Sequence, residues 1–180
     1  VKTLVAYFSA SGNNKYLAQS MAASLNCDIE AIRPNLGVFP LLILFSLLKA
    51  SPGIRAFKHE VGEYDTIVLC GPIWMGQFIS PLRDFCKKYK RDVRRLHFTT
   101  CCGGGDEAKD TKFGYSTVFK RVRAMMGDAC IQCLAFPVVL VLPERQRSNG
   151  DAVMKTRLTD ACFTGEIKTR FENFVQTLGG

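Results

Sequence analysis

Two hydrophobic rhythms alternate along the chain. Lys2 to Phe8 is a nearly unbroken apolar run rich in Val, Leu and aromatic residues, and Asp65 to Gly71 is a clearer one. Such runs carry too few polar positions for a half-exposed strand, so they predict strands buried on both faces. Leu96 to Cys101 and the β-branched run from Ile131 to Leu142 read the same way, and Asp28 to Ile32 predicts a shorter strand. Elsewhere the period lengthens. Leu17, Met21 and Leu25 recur at four-residue steps beside Ala18 and Ala22, predicting a helix over Asn13 to Leu25. Pro81 to Tyr89 puts Leu82, Phe85, Cys86 and Tyr89 on one face. Tyr115 to Met126 does so with Val118, Phe119, Val122 and Met126, stopping at Gly127, and Glu166 to Leu178 buries Ile167, Phe171, Phe174, Val175 and Leu178. Strands alternating with helices predict an α/β, doubly wound, five-stranded parallel sheet with helices on both faces. Nothing repeats and no low-complexity linker intervenes, so one domain over 1–180 is expected.

The segment at about 34–60 is long for a simple crossover. Its middle, Leu41 to Lys49, is apolar nearly all round rather than striped. One reading makes it a second crossover helix buried in the core, with a loop at Ser51-Pro52-Gly53. The other makes it a cofactor-side lid, an oligomer contact or a shallow membrane-docking helix. Its longest apolar stretch, Leu41 to Leu48 with Ser46 inside it, is far short of the roughly 20 residues a spanning helix needs. With no signal peptide visible, a cytoplasmic location is expected.

Composition adds one unusual feature. An apolar fraction of 47% is ordinary for a globular protein, but 24 Lys+Arg against 16 Asp+Glu leave a net charge of +8. Residues 87–95 alone hold six basic residues and one acid, net +5. Basic residues suit a helix C-terminus, and that accounts for part of them. The excess would steer an acidic partner or an anionic lipid surface. No nucleic-acid recognition motif accompanies the charge, so no nucleic acid is expected as a partner. The eight cysteines read as free thiols in a reducing compartment, with a metal or redox-disulfide role for Cys130-x-x-Cys133 as the alternative. His59 and His97 are isolated, and neither belongs to a nucleophile–base set.

The candidate chemistry lies in three loops, each following a predicted strand, where open α/β sheets bind ligands. Ser9-Ala10-Ser11-Gly12-Asn13-Asn14 offers hydroxyls, amides and a glycine at a helix start, suited to a dianion without a basic side chain. Gly71-Pro72-Ile73-Trp74-Met75-Gly76-Gln77 carries the single tryptophan, a stacking platform for a planar ring. Thr99-Thr100-Cys101-Cys102-Gly103-Gly104-Gly105-Asp106 has three successive glycines that let backbone approach a ligand edge.

On these three loops the chain resembles the flavodoxin-like, FMN-binding proteins. The resemblance covers nearly the whole chain and implies the strand order 2-1-3-4-5 and FMN as cofactor. It implies that Ser9, Ser11, Gly12, Asn13 and Asn14 hold the phosphate, that Pro72, Ile73, Trp74, Met75 and Gly76 wrap the isoalloxazine, and that Cys102, Gly103, Gly104, Gly105 and Asp106 line its pyrimidine edge. Backbone N–H groups of Trp74, Gly76 and Gly104 are the expected flavin-edge donors, and no catalytic side chain is expected. The chain departs from the family in three ways. Asn14 stands where Thr or Ser is usual, and the charge is basic. The third loop also lacks an aromatic, leaving Phe113 and Tyr115 as the nearest candidates to cover the second flavin face. An open face suits a nicotinamide or quinone. The expectation is therefore an FMN flavoprotein that passes electrons as an NAD(P)H- or quinone-linked oxidoreductase. The alternative is a non-enzymatic carrier that docks to a redox partner protein. Peripheral membrane contact through Leu41 to Leu48 is a further possibility.

Overall fold

The apolar runs read as strands become strands and the striped segments helices in the computed structural model, which describes residues 1–179, while the apolar stretch after Pro40 becomes a helix. In chain order these are β1 (Thr3–Tyr7), α1 (Asn13–Leu25), β2 (Asp28–Ala31), α2 (Phe39–Leu47) and β3 (Thr66–Cys70). A short hairpin, β4 (Ile73–Trp74) and β5 (Gln77–Phe78), leads into α3 (Ser80–Tyr89), β6 (Leu96–Cys102) and α4 (Tyr115–Met126). β7 (Cys130–Pro137), α5 (Gly150–Lys155) and α6 (Gly165–Gly179) follow. Five strands pair in the order β2-β1-β3-β6-β7, every pair parallel. That is the doubly wound α/β order expected, 2-1-3-4-5, with the hairpin outside the main sheet.

The period-two alternation of side chains divides the core into two. Leu4, Ala6, Ile67, Leu69, Leu96 and Phe98 face the α3/α4 side and pack with Leu82, Phe85, Val118 and Val122. Val5, Val68 and Cys70 face the opposite way, onto Leu17 and Met21 of α1 and Phe171 and Phe174 of α6. Apolar burial on both faces explains why these strands show no polar alternation in the sequence.

Two details of β7 were not legible in its β-branched run. The strand ends at Pro137, opposite Cys102, because proline has no N–H for the next ladder bond, and Val138 to Val141 turn into a 3₁₀ helix. Near its start the register slips: Leu96 pairs with Cys130 and His97 with Gln132, so Ile131 is the extra residue of a bulge. The bulge re-phases the strand. Cys130 and Cys133 therefore share a face, with their sulfurs 3.6 Å apart.

The apolar crossover is a surface helix. Along α2 only Leu42 and Ser46 are buried, whereas Phe39, Leu44 and Leu47 are 45–50% exposed and the adjoining Leu48 is 67% exposed. Expectation of a fully buried crossover helix fails here, because only one narrow stripe of the helix meets α3 and β5. The seat is polar as well as apolar. Ser46 Oγ donates to Leu42 O at 2.6 Å and accepts from Ser80 N at 2.9 Å, satisfying the first N–H of α3 across the helix interface. In return, Arg83 on α3 donates to the carbonyls of Phe45 and Ala50 at the C-terminal end of α2. Asp84 accepts from Gly53 N at 2.9 Å, and a bridge between Pro34 and Ile54 closes the base of the segment.

Candidate functional site

The first loop is shaped by Gly12, whose φ of +97° starts α1 in a conformation that costs glycine little. Gly12 N donates back to Ser9 Oγ at 3.1 Å. Behind it, the N–H groups of Asn13, Asn14 and Lys15 have no acceptor among the described residues; the first intrahelical bond is Tyr16 N to Gly12 O. Three orphan donors at the positive end of a helix dipole make an anion seat.

Both asparagine side chains serve to fix that seat. Asn14 is buried and bridges to β6: its Oδ1 accepts from Cys101 N at 2.8 Å and its Nδ2 donates to Cys101 O at 3.1 Å. Cys70 Sγ at the end of β3 also points to Asn14 O at 3.4 Å. The amide that sequence reasoning offered to a phosphate is thus engaged by backbone, leaving Asn14 its main-chain N–H. Asn13 reaches the other way, donating to Thr156 O at 3.1 Å and accepting from Leu158 N at 2.9 Å. That pairing brings Arg157 to the mouth of the same loop.

The second loop is a two-residue hairpin. Met75 and Gly76 both have positive φ, 48° and 66°, the geometry of a type I′ turn that matches strand twist. A Cβ on Gly76 would meet Lys112 O at 2.3 Å, so the turn also presses against the backbone of the 112–113 segment. Trp74 is held edge-on by Phe39 of α2, ring centroids 5.1 Å apart, and by Phe8 at 6.1 Å.

The three loops meet in one cleft of about 710 Å³. Ser9, Ser11, Asn13, Asn14, Pro72, Ile73, Trp74, Cys102 and Gly103 line it. Gly12, Met75, Gly76, Gly104, Gly105 and Asp106 are outside the lining. The carboxylate of Asp106 is instead taken by Arg170, at 2.7 Å from Nη2, and by the Tyr115 hydroxyl at 2.6 Å. Hydrogen bonding from Arg170 is the main reason its pKa lies below the ordinary carboxylate value. Burial pushes the Cys101 thiol well above its usual pKa and, with the nearby Asp106 charge, lifts that of Cys102 to about 12. Neither sulfur is an anionic ligand at neutral pH.

The cleft has walls that the motifs did not disclose. Phe39 and Leu42 of α2 form one, and Val153, Met154 and Arg157 from α5 and its exit form another. Phe113 and Tyr115, the aromatics nearest in sequence to the third loop, do not line it. Arg157 donates locally to Met154 O at 2.7 Å and Thr156 O at 2.9 Å. No periodicity marks the 143–160 stretch, so nothing in its pattern indicated that it would reach the cleft.

No protein-family description matches the chain, and no curated protein does. Solved structures match well. A flavodoxin from the domain Archaea superposes with a TM-score of 0.53 over 100% of both chains at 13% identity. The flavodoxin of Streptococcus pneumoniae gives 0.53 at 13% identity, over 99% of this chain and 97% of its own. A flavoprotein from Lactobacillus acidophilus, solved in complex with FMN, gives 0.58 at 17% identity over 74% of this chain and 92% of its own. The chain has the flavodoxin fold. In that fold the cleft described above lies at the carboxyl ends of β1, β3 and β6, where open α/β sheets take their ligands. Among the described residues no group of His, Cys, Asp and Glu is arranged to hold a metal, and no helix is long and apolar enough to cross a membrane.

Proposed function

We propose that the chain is an FMN-binding flavoprotein that transfers electrons as an NAD(P)H- or quinone-linked oxidoreductase. One observation carries this reading: an anion seat and an aromatic-walled pocket open into a single cleft, matching the phosphate and the planar ring of one ligand. The residues fit the group. The N–H groups of Asn13, Asn14 and Lys15 and the hydroxyls of Ser9 and Ser11 would hold the phosphate. Arg157 would add a cation at the rim. Trp74, Phe39, Leu42, Val153 and Met154 would shield the ring from water, and Gly103 would meet its edge through backbone. Bound FMN supplies the redox chemistry, accepting a hydride or single electrons. Nothing in the cleft is assigned as a general acid or base.

Titration of the apoprotein with FMN and with riboflavin, followed by quenching of flavin fluorescence, tests the reading. FMN should bind at least about tenfold more tightly than riboflavin, the difference being the charge-assisted bonds to phosphate. Absence of FMN binding would overturn it. The basic stretch 87–95 favours a second reading, a non-enzymatic carrier that docks to an acidic redox partner. The loaded protein oxidises NADPH and reduces a quinone unaided on the first reading, and does neither on the second. The exposed apolar face of α2 supports peripheral contact with a membrane, where a quinone would be met. Eight unbridged cysteines are consistent with a cytoplasmic location.

A further inference from the structure

A second cleft, of about 630 Å³, lies beyond the hairpin that carries Trp74. Four elements build it. Arg83, Lys87 and Lys90 stand at positions i, i+4 and i+7 of α3 and just past its end, one face of the helix. Arg121 comes from α4, and Lys49 from the turn that ends α2. Phe78 of β5 with Ala124 and Met125 of α4 supply the apolar part of the lining. No carboxylate lines the cleft, and none of the five cations forms an ion pair within 4 Å among the described residues. The nearest acid in sequence, Asp84, is turned to Gly53 N.

The arginines are held by hydrogen bonds, and the lysines are exposed, with Lys87 donating to Ser51 Oγ at 2.5 Å. Arg83 is only 7% exposed and hangs from the carbonyls of Phe45 and Ala50 by one amino group, while its buried Nε has no partner among the described residues. Arg121 donates to Gln77 Oε1 at 2.7 Å. Lys49, Lys87 and Lys90 are exposed around them. Lys49 occupies the left-handed region at φ 56°, a position glycine normally takes at a helix end. Burial depresses the pKa of Arg83; the charge of the adjoining Asp84 opposes this and that of Arg121 adds to it. Like charges gathered in a lining that holds no carboxylate repel one another, and a polyanion relieves that repulsion. Held guanidinium groups beside exposed ammonium groups suit phosphate, which takes forked donors and point charges alike.

We propose that this cleft binds a small organic polyphosphate of the nucleoside di- or triphosphate class. Its volume falls within the range of small-molecule sites. Five cations exceed what one phosphate neutralises, and the apolar lining from Phe78 to Met125 gives a base or other ring a surface to rest on. An acidic protein surface is the poorer fit, because Arg83 is only 7% exposed within a hollow of about 630 Å³, which suits a small ligand. The proposal does not rest on FMN occupying the first cleft.

Isothermal titration of the FMN-loaded and unloaded protein with ATP, ADP and AMP tests it. Affinity should fall in that order, weaken steeply with salt and be the same in both forms. The exposed pair Lys87→Gln/Lys90→Gln spares the buried Arg83 and should weaken ATP binding at least tenfold. A charge-matched control, Arg91→Gln/Arg94→Gln, lies in the same basic stretch but outside the cleft and should change it less than threefold. The proposal is overturned if ATP does not bind at millimolar concentration, or if both double variants weaken it equally, which is general surface attraction. It is also overturned if FMN displaces ATP, placing the nucleotide in the first cleft. Binding of anionic vesicles or poly-glutamate through Lys87 and Lys90 without ATP binding equally overturns it, in favour of a macromolecular partner.

Discussion

His97 shows how far a residue's role depends on what packs over it. On β6 it is 3% exposed, edge-on to Phe174 at 5.9 Å, and neither ring nitrogen has a hydrogen-bond partner among the described residues. Burial therefore holds its pKa below the ordinary 6.5. The folded ring stays neutral where the unfolded one takes up a proton. Stability is flat above the unfolded value and falls as pH drops through about 6.5 towards the folded pKa. Urea denaturation should show a lower midpoint at pH 5.5 than at pH 7.5, and His97→Phe should flatten that slope. Equal slopes in both proteins would remove the assignment. Asn14 makes the same point from the site. A sequence places it in a phosphate loop, but whether its amide meets a ligand or the backbone of Cys101 depends on a strand 87 residues away.

At the scale of elements, single residues join helices and re-phase strands. Ser46 interrupts the apolar run of α2 and gives Ser80, at the start of α3, its acceptor. Ser46→Ala leaves a buried N–H unsatisfied and should cost about 1–3 kcal/mol in urea unfolding. A variant as stable as the parent would show that water replaces the hydroxyl. The bulge at Ile131 has a chemical consequence. The two sulfurs share a hydrogen bond in which either can donate; with Arg123 near, it draws the Cys130 thiol below its ordinary pKa while that of Cys133 is raised. Among the eight cysteines, Cys130 should be alkylated fastest by iodoacetamide at pH 7, as read by peptide mass spectrometry. Cys133→Ala should slow that reaction, and preferential labelling of another cysteine would refute the account. Spacing alone left the pair open among metal, redox and packing roles, because on a regular strand residues three apart face opposite sides.

For the molecule as a whole, charge and exposed apolar surface are arranged around the sheet. Of the net +8, +5 falls within 87–95, and its first turn helps form the second cleft rather than only a solvated helix end. α2 presents Leu44, Leu47 and Leu48 outward. Exchanging Leu44 and Leu47 for Gln should leave the urea midpoint nearly unchanged, since both are about half exposed, and reduce co-sedimentation with anionic vesicles severalfold. Unchanged sedimentation would place any lipid contact elsewhere.

The sequence by itself determined the chain order of the five sheet strands and of α1, α3, α4 and α6, the buried character of β1, β3 and β6, the three loops at strand ends and so the place of the first cleft. Those features follow from local periodicity and from the rule that parallel strands bind ligands at their carboxyl ends. Tertiary structure alone decided that Asn14 clamps Cys101, that Asp106 serves Arg170, that α2 lies outside, and that α5 and Arg157 close the cleft. It alone gathered Lys49, Arg83, Lys87, Lys90 and Arg121 around one hollow. Each of these depends on contacts between residues distant in sequence, and local patterns carry no record of which surfaces will meet.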